Sequence, residues 1–160
     1  MSLLKRAGFL KLAVLGFALA MAACAQTPPP NASGSAPIPG SFQDFAVNVG
    51  DRVFFDTDST ELTPTSQATL DKQAAWLQRY SQYNFTIEGH ADERGTREYN
   101  FALGARRSET VKDYLVARGI SPARIRTISY GKERPVATCN DISCWSQNRR
   151  AVTVLGGSQS

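Results

Sequence analysis

Hydrophobic residues recur along this chain with two periods, one typical of β-strands and the other typical of α-helices. In one segment, Arg52-Val53-Phe54-Phe55-Asp56, Val53 and Phe55 fall on the same face of an extended chain, which predicts a short strand with one buried face. In the next, Leu70, Ala74 and Leu77 recur at helical spacing. The whole pattern predicts strands over Arg52–Asp56, Phe85–Gly89, Ile125–Tyr130 and Arg150–Leu155, and helices from Pro64 towards Ser81 and from the turn after Gly89 to about Arg118.

The order of these elements, β-α-β-α-β-β, is typical of an α/β sandwich in which helices cover a mixed sheet. Two β-α-β crossovers should make neighbouring strands parallel, and the last strand can return antiparallel. Thr63-Pro64 is typical of a helix start and Gly119 of a helix end. We therefore expect a single α/β domain over residues 46–155, followed by a short tail over residues 156–160.

One arginine falls inside the apolar stripe of the second helix. On a helical projection Arg107 lies within about 60° of Asn100 and Leu103, whereas Arg106 is turned about 100° away. An unpaired buried charge is costly, and Asp92, at the mouth of the preceding strand, is the nearest acidic candidate. Such a pair, with an amide between, suits a ligand that carries an ammonium and a carboxylate. An internal salt bridge that only closes the turn is the alternative, and the pattern alone leaves both open.

Residues 1–23 have the features of an export signal. Basic residues precede an apolar run over residues 12–20 that is too short to span a bilayer, and small residues follow it. Cys24 then stands where a bacterial lipobox has its lipidated cysteine, which predicts a lipid anchor. An ordinary secretory signal cut elsewhere is the alternative. Ala25 is not the aspartate that retains many lipoproteins in the inner membrane, so we expect the periplasmic face of the outer membrane of a Gram-negative bacterium.

The segment after the signal is rich in Pro, Ala, Ser and Gly, and it is nearly free of bulky apolar residues. Such a composition cannot bury enough surface to fold, which predicts a flexible tether over residues 24–45. The formal net charge of +4 falls to +1 without the three basic residues of the signal. A chain with so little excess positive charge is not expected to bind nucleic acid.

Two cysteines, Cys139 and Cys144, stand close together in a chain that is expected to be exported. Outside the cytoplasm such a pair can form a disulfide that fixes the shape of a loop. The sole histidine, His90, is distant in sequence, so neither a metal site nor another cofactor is expected. We interpret His90 as a packing and hydrogen-bonding residue.

Many dispersed residues together make the chain resemble the OmpA-like peptidoglycan-binding domain. They are Gly89-His90-Ala91-Asp92, Gly95, Tyr99-Asn100, Leu103, Arg106-Arg107, Val111, Tyr114-Leu115, Gly119-Ile120, Tyr130-Gly131, Pro135 and Asn148-Arg149-Arg150. The resemblance covers about Val53 to Leu155. The segment with Cys139 and Cys144 departs from the better-known members, which puts only the shape of that loop in doubt.

The resemblance implies a ligand, the meso-diaminopimelate of peptidoglycan stem peptides. Family members pair the aspartate that matches Asp92 with the ligand ammonium and the arginine that matches Arg107 with its carboxylate. The family pattern implies further ligand contacts from Phe55, Asp56, Thr57, Asn100 and Leu103. Such a site recognises its ligand without cleaving it.

With the lipobox and the tether, the chain is similar to the lipid-anchored members of this family. That resemblance implies a non-enzymatic link between outer membrane and cell wall, binding to the β-propeller protein TolB and other Tol components, and a role in outer-membrane constriction at division. A catalytic alternative comes from Asp56-Thr57-Asp58-Ser59-Thr60, which matches the Asp-x-Asp-x-Thr motif of Mg²⁺-dependent phosphatases.

Overall fold

The computed structural model describes residues 36–156. The predicted signal, Cys24, residues 25–35 of the tether and residues 157–160 of the tail lie outside the described residues. Within residues 36–156, no helix has the length and apolar character needed to cross a bilayer. In the same range, no group of three or more His, Cys, Asp or Glu residues is placed to hold a metal ion.

The described residues form four helices, two single turns of other helix types and four strands. The helices are α1 (Phe42–Asp44), α2 (Pro64–Arg79), α3 (Arg97–Ala117) and α4 (Ile142–Asn148); the turns are a π-helical one at Phe45–Gly50 and a 3-10 one at Pro122–Arg124; the strands are β1 (Arg52–Phe54), β2 (Phe85–His90), β3 (Ile125–Gly131) and β4 (Arg150–Leu155). The predicted strands and both long helices are present, and their predicted ends agree to within two residues. Helix α1, the π-helical turn and α4 were not predicted.

Threonine caps start both long helices. Thr63 Oγ1 accepts a hydrogen bond from the Ser66 amide (3.2 Å), and Thr96 Oγ1 accepts one from the Tyr99 amide (3.1 Å). Each cap satisfies an amide that the first helical turn leaves without a partner. The cap at Thr96 starts α3 shortly after the end of β2, which places the first turns of α3 beside that end.

The strand order in the sheet is β1-β4-β2-β3. β2 and β3 are parallel, as predicted, whereas β4 lies antiparallel between β1 and β2. The prediction that both crossovers join adjacent strands is therefore wrong for β1 and β2. Ala151 and Thr153 on β4 are buried, as befits a central strand. An alternating pattern shows which face of a strand is buried but not which neighbours the strand has.

Helices α2 and α3 cover one face of the sheet. Their apolar stripes meet the inward residues of the strands in one core, formed by Val53, Phe85, Ile87, Ile125 and Ala151 with Leu70, Ala74, Leu77, Val111 and Leu115. The helix α3 crosses β2 at Gly89 and Gly104, where a Cβ on Gly89 would overlap the carbonyl oxygen of Gly104. This close approach brings the inward face of α3 against the end of β2.

The packed part of the chain begins before residue 46, where the sequence placed the domain boundary. Phe45 is buried, and its ring centroid lies 4.9 Å from that of Trp76. The Tyr83 hydroxyl also donates to the carbonyl of Gly40 (2.7 Å). These contacts bury one large aromatic side chain that composition alone had assigned to the tether.

Candidate functional site

A cavity of about 210 Å³ opens at the end of β2 beside the first turns of α3. Its lining residues are Thr57, Asp58, Asp92, Arg94, Gly95, Tyr99, Asn100, Leu103, Arg107 and Arg149. Five of the predicted ligand residues are thus brought to one cavity, namely Thr57, Asp92, Asn100, Leu103 and Arg107. The other two, Phe55 and Asp56, line an adjacent groove, and Arg149 lies between the two spaces.

Arg107 is fully buried and held by backbone carbonyls. Its Nε donates to Ser59 O (2.9 Å), Nη1 to His90 O (2.8 Å) and Nη2 to Asp56 O (3.1 Å). The guanidinium also lies over the Phe55 ring, 5.1 Å from its centroid. A guanidinium has five N–H groups, so one N–H on each terminal nitrogen has no partner among the described residues. Those two groups are suited to a carboxylate in the cavity.

In the part of the chain that the structure describes, Arg107 and Asp92 do not form a direct ion pair. Both side chains line the cavity, but each has other partners, and no ion pair joins them. Burial, with the nearby charge of Arg149, lowers the pKa of Arg107 to about 10, and Asp92 and Asp58 oppose this shift. The guanidinium therefore stays charged at neutral pH. The alternative interpretation, an internal salt bridge between Asp92 and Arg107 that only closes the turn, is therefore wrong for the described residues.

Asp92 is 7 % exposed and accepts hydrogen bonds from two arginines. Arg94 donates through its backbone amide (3.1 Å) and Nε (3.1 Å) to Oδ1, and through Nη2 (2.7 Å) to Oδ2. Arg149 Nη1 lies 3.4 Å from Oδ2. Burial raises the pKa of Asp92, but the bonds from Arg94 and Arg149 outweigh it and hold that pKa below its usual range. The cavity therefore presents a charged carboxylate.

Asn100 and Leu103 project from α3 into the cavity wall, as the helical projection predicted. The Asn100 side-chain amide donates to Arg94 O (2.6 Å) and Thr96 O (3.0 Å). Asn100 therefore fixes the turn that carries Asp92 and Arg94, in addition to lining the cavity. Leu103 is buried and supplies apolar surface to the cavity wall.

Arg149 was not predicted as a site residue. Arg149 and Arg150, at the start of the last strand, are both buried rather than solvated charges at the edge of the sheet. Arg149 Nε donates to Phe55 O (3.0 Å), and its Nη1 reaches Asp92. The sequence did contain one indication. Arg149 directly precedes β4, a strand with buried residues, so its side chain could have been expected to lie inside the fold.

The segment between the cysteines is more ordered than a simple loop. Cys139 and Cys144 are joined by a disulfide with a Cα–Cα distance of 5.6 Å, and α4 begins within this segment. Trp145, on α4, packs against Glu93 and Arg94 in the turn between β2 and α3. Its Nε1 donates to Glu93 Oε1 (3.0 Å), and Arg94 Cζ lies 4.2 Å from its ring centroid. Trp145 thus contacts Arg94, which lines the cavity, and it directly follows the disulfide-bonded Cys144.

Replacing both Cys139 and Cys144 with serine is expected to lower the free energy of unfolding by about 2 kcal/mol. The reason is that a short closed loop removes only a modest amount of entropy from the unfolded chain. Chemical denaturation of the oxidised protein and the double variant measures the difference. Reduced wild-type protein is the control and should match the variant. Equal stability of the oxidised and reduced wild type would contradict the expectation.

His90 is 1 % exposed, and neither ring nitrogen has a hydrogen-bond partner among the described residues. The expectation that His90 packs is confirmed, but the expected hydrogen bonding is not found. Its nearest acidic neighbour is Glu88, with Nε2 and Oε2 3.6 Å apart. Burial, together with the charges of Arg150, Arg134 and Arg52, lowers the pKa of His90 from 6.5 to about 4.

This shift predicts a pH-dependent stability. The unfolded chain takes up the His90 proton near pH 6.5, whereas the folded protein takes it up only near pH 4. The contribution of neutral His90 to the free energy of unfolding is therefore fully present above pH 6.5. It is lost as the pH falls towards 4, and the loss is on the order of 3 kcal/mol. The free energy of unfolding, measured by chemical denaturation at several pH values between 7 and 4, should fall less steeply with decreasing pH for His90→Gln than for the wild type. Parallel curves would contradict the assignment.

The two aspartates of the phosphatase alternative do not converge. The Asp56 side chain is exposed and lines the adjacent groove. Asp58 lines the main cavity with a left-handed φ of 54°, and its Oδ1 accepts from the Tyr99 hydroxyl (3.1 Å). A nucleophile and a general acid must face the same substrate atom, so this arrangement disfavours the catalytic alternative.

Comparisons with known proteins show which family this chain belongs to. The family model described as the OmpA family matches residues 54–149. The peptidoglycan-associated lipoprotein of Rhizobium meliloti is 65 % identical over 149 residues, which cover 89 % of this chain and 85 % of that protein. The peptidoglycan-associated lipoprotein of Pseudomonas aeruginosa is 47 % identical over 125 residues, which cover 76 % of this chain and 74 % of that protein.

Solved structures show the same fold. The crystal structure of the peptidoglycan-associated lipoprotein from Burkholderia pseudomallei matches with a TM-score of 0.67 and 39 % identity, covering 71 % of this chain and 98 % of that chain. The C-terminal domain of Helicobacter pylori MotB matches with a TM-score of 0.63 and 19 % identity, covering 68 % of this chain and 86 % of that chain, which shows the fold alone. The resemblance read from the motif residues is confirmed, and the chain belongs to the OmpA family, among its peptidoglycan-associated lipoproteins.

Proposed function

We propose that the protein is an outer-membrane lipoprotein that binds peptidoglycan non-covalently through the diaminopimelate of stem peptides. The observation that carries the proposal is one cavity lined by the Asp92 carboxylate and the Arg107 guanidinium. The side-chain end of meso-diaminopimelate carries an ammonium and a carboxylate on one carbon, so it matches these two opposite charges. The names of the relatives, which refer to association with peptidoglycan, supply the polymer in which this amino acid occurs.

In this proposal each cavity residue has a separate task. Asp92 accepts from the ligand ammonium, and the two N–H groups of Arg107 that have no partner among the described residues bind the ligand carboxylate. Leu103 contacts the methylene chain between them, and Asn100 holds the turn that carries Asp92. Phe55 stacks its ring against the Arg107 guanidinium, and the backbone carbonyl of Asp56 accepts a hydrogen bond from it. Thr57 lines the cavity. None of these tasks breaks a bond in the ligand.

The test is co-sedimentation of the purified protein with Gram-negative peptidoglycan sacculi. The wild type should sediment with the sacculi, and the double variant Asp92→Ala with Arg107→Ala should remain in solution. Arg106→Ala is a matched control because Arg106 neighbours Arg107 but is exposed. Sedimentation of the double variant at the wild-type level would show that this site assignment is wrong.

The lipid anchor is a part of the proposal that lies outside the described residues. Lipidation of Cys24, with the residues between it and Gly40 as a spacer, would hold the domain at the periplasmic face of the outer membrane. Labelling with radioactive palmitate should mark the wild type and not Cys24→Ser. Labelled Cys24→Ser would contradict the anchor.

Participation in the Tol–Pal system, through TolB and its other components, is the partner proposal that follows from the resemblance. Such a link would let the protein draw the outer membrane inward at division and support envelope integrity. The loops around the cavity are distinctive exposed surface, so we expect TolB and the stem peptide to compete. A titration with TolB in which saturating stem peptide leaves the affinity unchanged would contradict this competition.

A further inference from the structure

The acceptor positions of Asp92 are filled in this structure. Arg94 supplies three donors to the carboxylate and Arg149 supplies a fourth. A carboxylate has about four lone-pair positions for hydrogen bonds. A ligand ammonium can therefore reach Asp92 only if one of these donors leaves.

Only one donor group is free to leave. Arg149 is buried and anchored on Phe55 O by its Nε (3.0 Å). The Arg94 backbone amide is part of the turn that Asn100 fixes. The Arg94 guanidinium, by contrast, belongs to a side chain that is 41 % exposed, and it lines the cavity where the ligand must sit.

Two further contacts hold the Arg94 guanidinium in place. It stacks on the Trp145 ring, with Cζ 4.2 Å from the centroid, and its Nη2 lies 3.5 Å from Thr57 Oγ1. Trp145 is itself tied to the same turn by its bond to Glu93. The side chain is thus held on Asp92 from the solvent side, where it can rotate away without disturbing the core.

We propose that Arg94 is a specificity-determining residue whose guanidinium occupies the ammonium position on Asp92 and must swing away before a ligand binds. This inference rests on the proposed function. When an ammonium replaces the guanidinium, one cation is exchanged for another, so Asp92 alone gives little net affinity. The gain comes from the ligand carboxylate on Arg107. A simple amine is therefore rejected, and a ligand that carries both charged groups is accepted.

The test is the affinity of the purified protein for meso-diaminopimelate, measured by isothermal titration calorimetry. Arg94→Ala should bind about three- to tenfold more tightly than the wild type, because no internal cation competes. Arg97→Ala is the matched control, since it removes the same charge from a guanidinium that pairs with Glu133 (3.1 Å). The control should stay within about twofold of the wild type. Equal or weaker binding by Arg94→Ala overturns the inference.

A second readout follows the side chain itself. In the free protein the Arg94 Nε–H should exchange slowly with water in NMR spectra, and on saturation with meso-diaminopimelate it should exchange as fast as that of Arg97. An unchanged Arg94 resonance overturns the inference even if affinity rises. If the wild type and Arg94→Ala both fail to bind meso-diaminopimelate, the proposed function itself fails. If both bind with the same affinity, only the role of Arg94 fails.

Discussion

Arg107→Met should lower the free energy of unfolding by about 3 kcal/mol or more and weaken binding of meso-diaminopimelate by about 100-fold. Methionine fills much of the space of the arginine but donates nothing. The carbonyls of Ser59, His90 and Asp56 would lose the donor that now satisfies them. The ligand carboxylate would lose its only proposed cation. Urea denaturation and calorimetric titration measure the two effects.

The neighbouring arginine provides the control for this variant. Arg106 is exposed on the same helix, so Arg106→Met should change stability by no more than about 0.5 kcal/mol. Arg107→Lys adds a second comparison, because it keeps the positive charge but cannot reach three carbonyls and a carboxylate at once. If Arg107→Met proves as stable as Arg106→Met, the three carbonyls do not depend on Arg107.

Gly89→Ala should destabilise the fold by about 3 kcal/mol or more, because it forces α3 away from the sheet. A Cβ at this position would overlap the backbone of Gly104, which cannot rotate aside as a side chain could. The displacement would also pull Asn100 and Arg107 away from the end of β2 and weaken ligand binding. Thermal unfolding followed by circular dichroism is the direct measurement.

Glu88→Ala is the matched control for Gly89→Ala. Successive residues of a strand point to opposite faces, so the Glu88 side chain lies on the sheet face that α3 does not cover. The control removes a half-buried side chain from the same strand without touching α3, and we expect a loss below about 1 kcal/mol. Equal losses for the two variants would show that the close helix–sheet contact is not the cause.

Much of the fold could be predicted from the hydrophobic pattern, since periods of two and 3.6 residues follow directly from strand and helix geometry. The pattern also placed Asn100, Leu103 and Arg107 on one inward face of α3, where the structure has them. The place of β4 in the strand order could not be predicted. Ala151 and Thr153 would be buried whichever strands lay on the two sides of β4. Which strands pair with β4 is decided by contacts between distant parts of the chain, and the local hydrophobic pattern carries no information about them.

The predicted partner of Arg107 shows a similar limit at the site. Sequence spacing correctly brought Asp92 and Arg107 to one cavity, but it could not show that backbone carbonyls rather than a carboxylate satisfy the guanidinium. Those carbonyls come from the turn after β1 and from the end of β2, which are distant in sequence. The contacts of Arg94 and Arg149 with Asp92 depend on the same long-range folding.

The most direct test of the central claim, that Asp92 and Arg107 together recognise an ammonium and a carboxylate, is a calorimetric titration of one protein with two ligands. Nα-acetyl-L-lysinamide has the side-chain ammonium of meso-diaminopimelate but no carboxylate, because its α-amine is acetylated and its α-carboxyl group is an amide. The account predicts that meso-diaminopimelate binds about 10- to 100-fold more tightly than Nα-acetyl-L-lysinamide, and that this difference disappears in Arg107→Lys. Equal affinity of the wild type for the two ligands would contradict it.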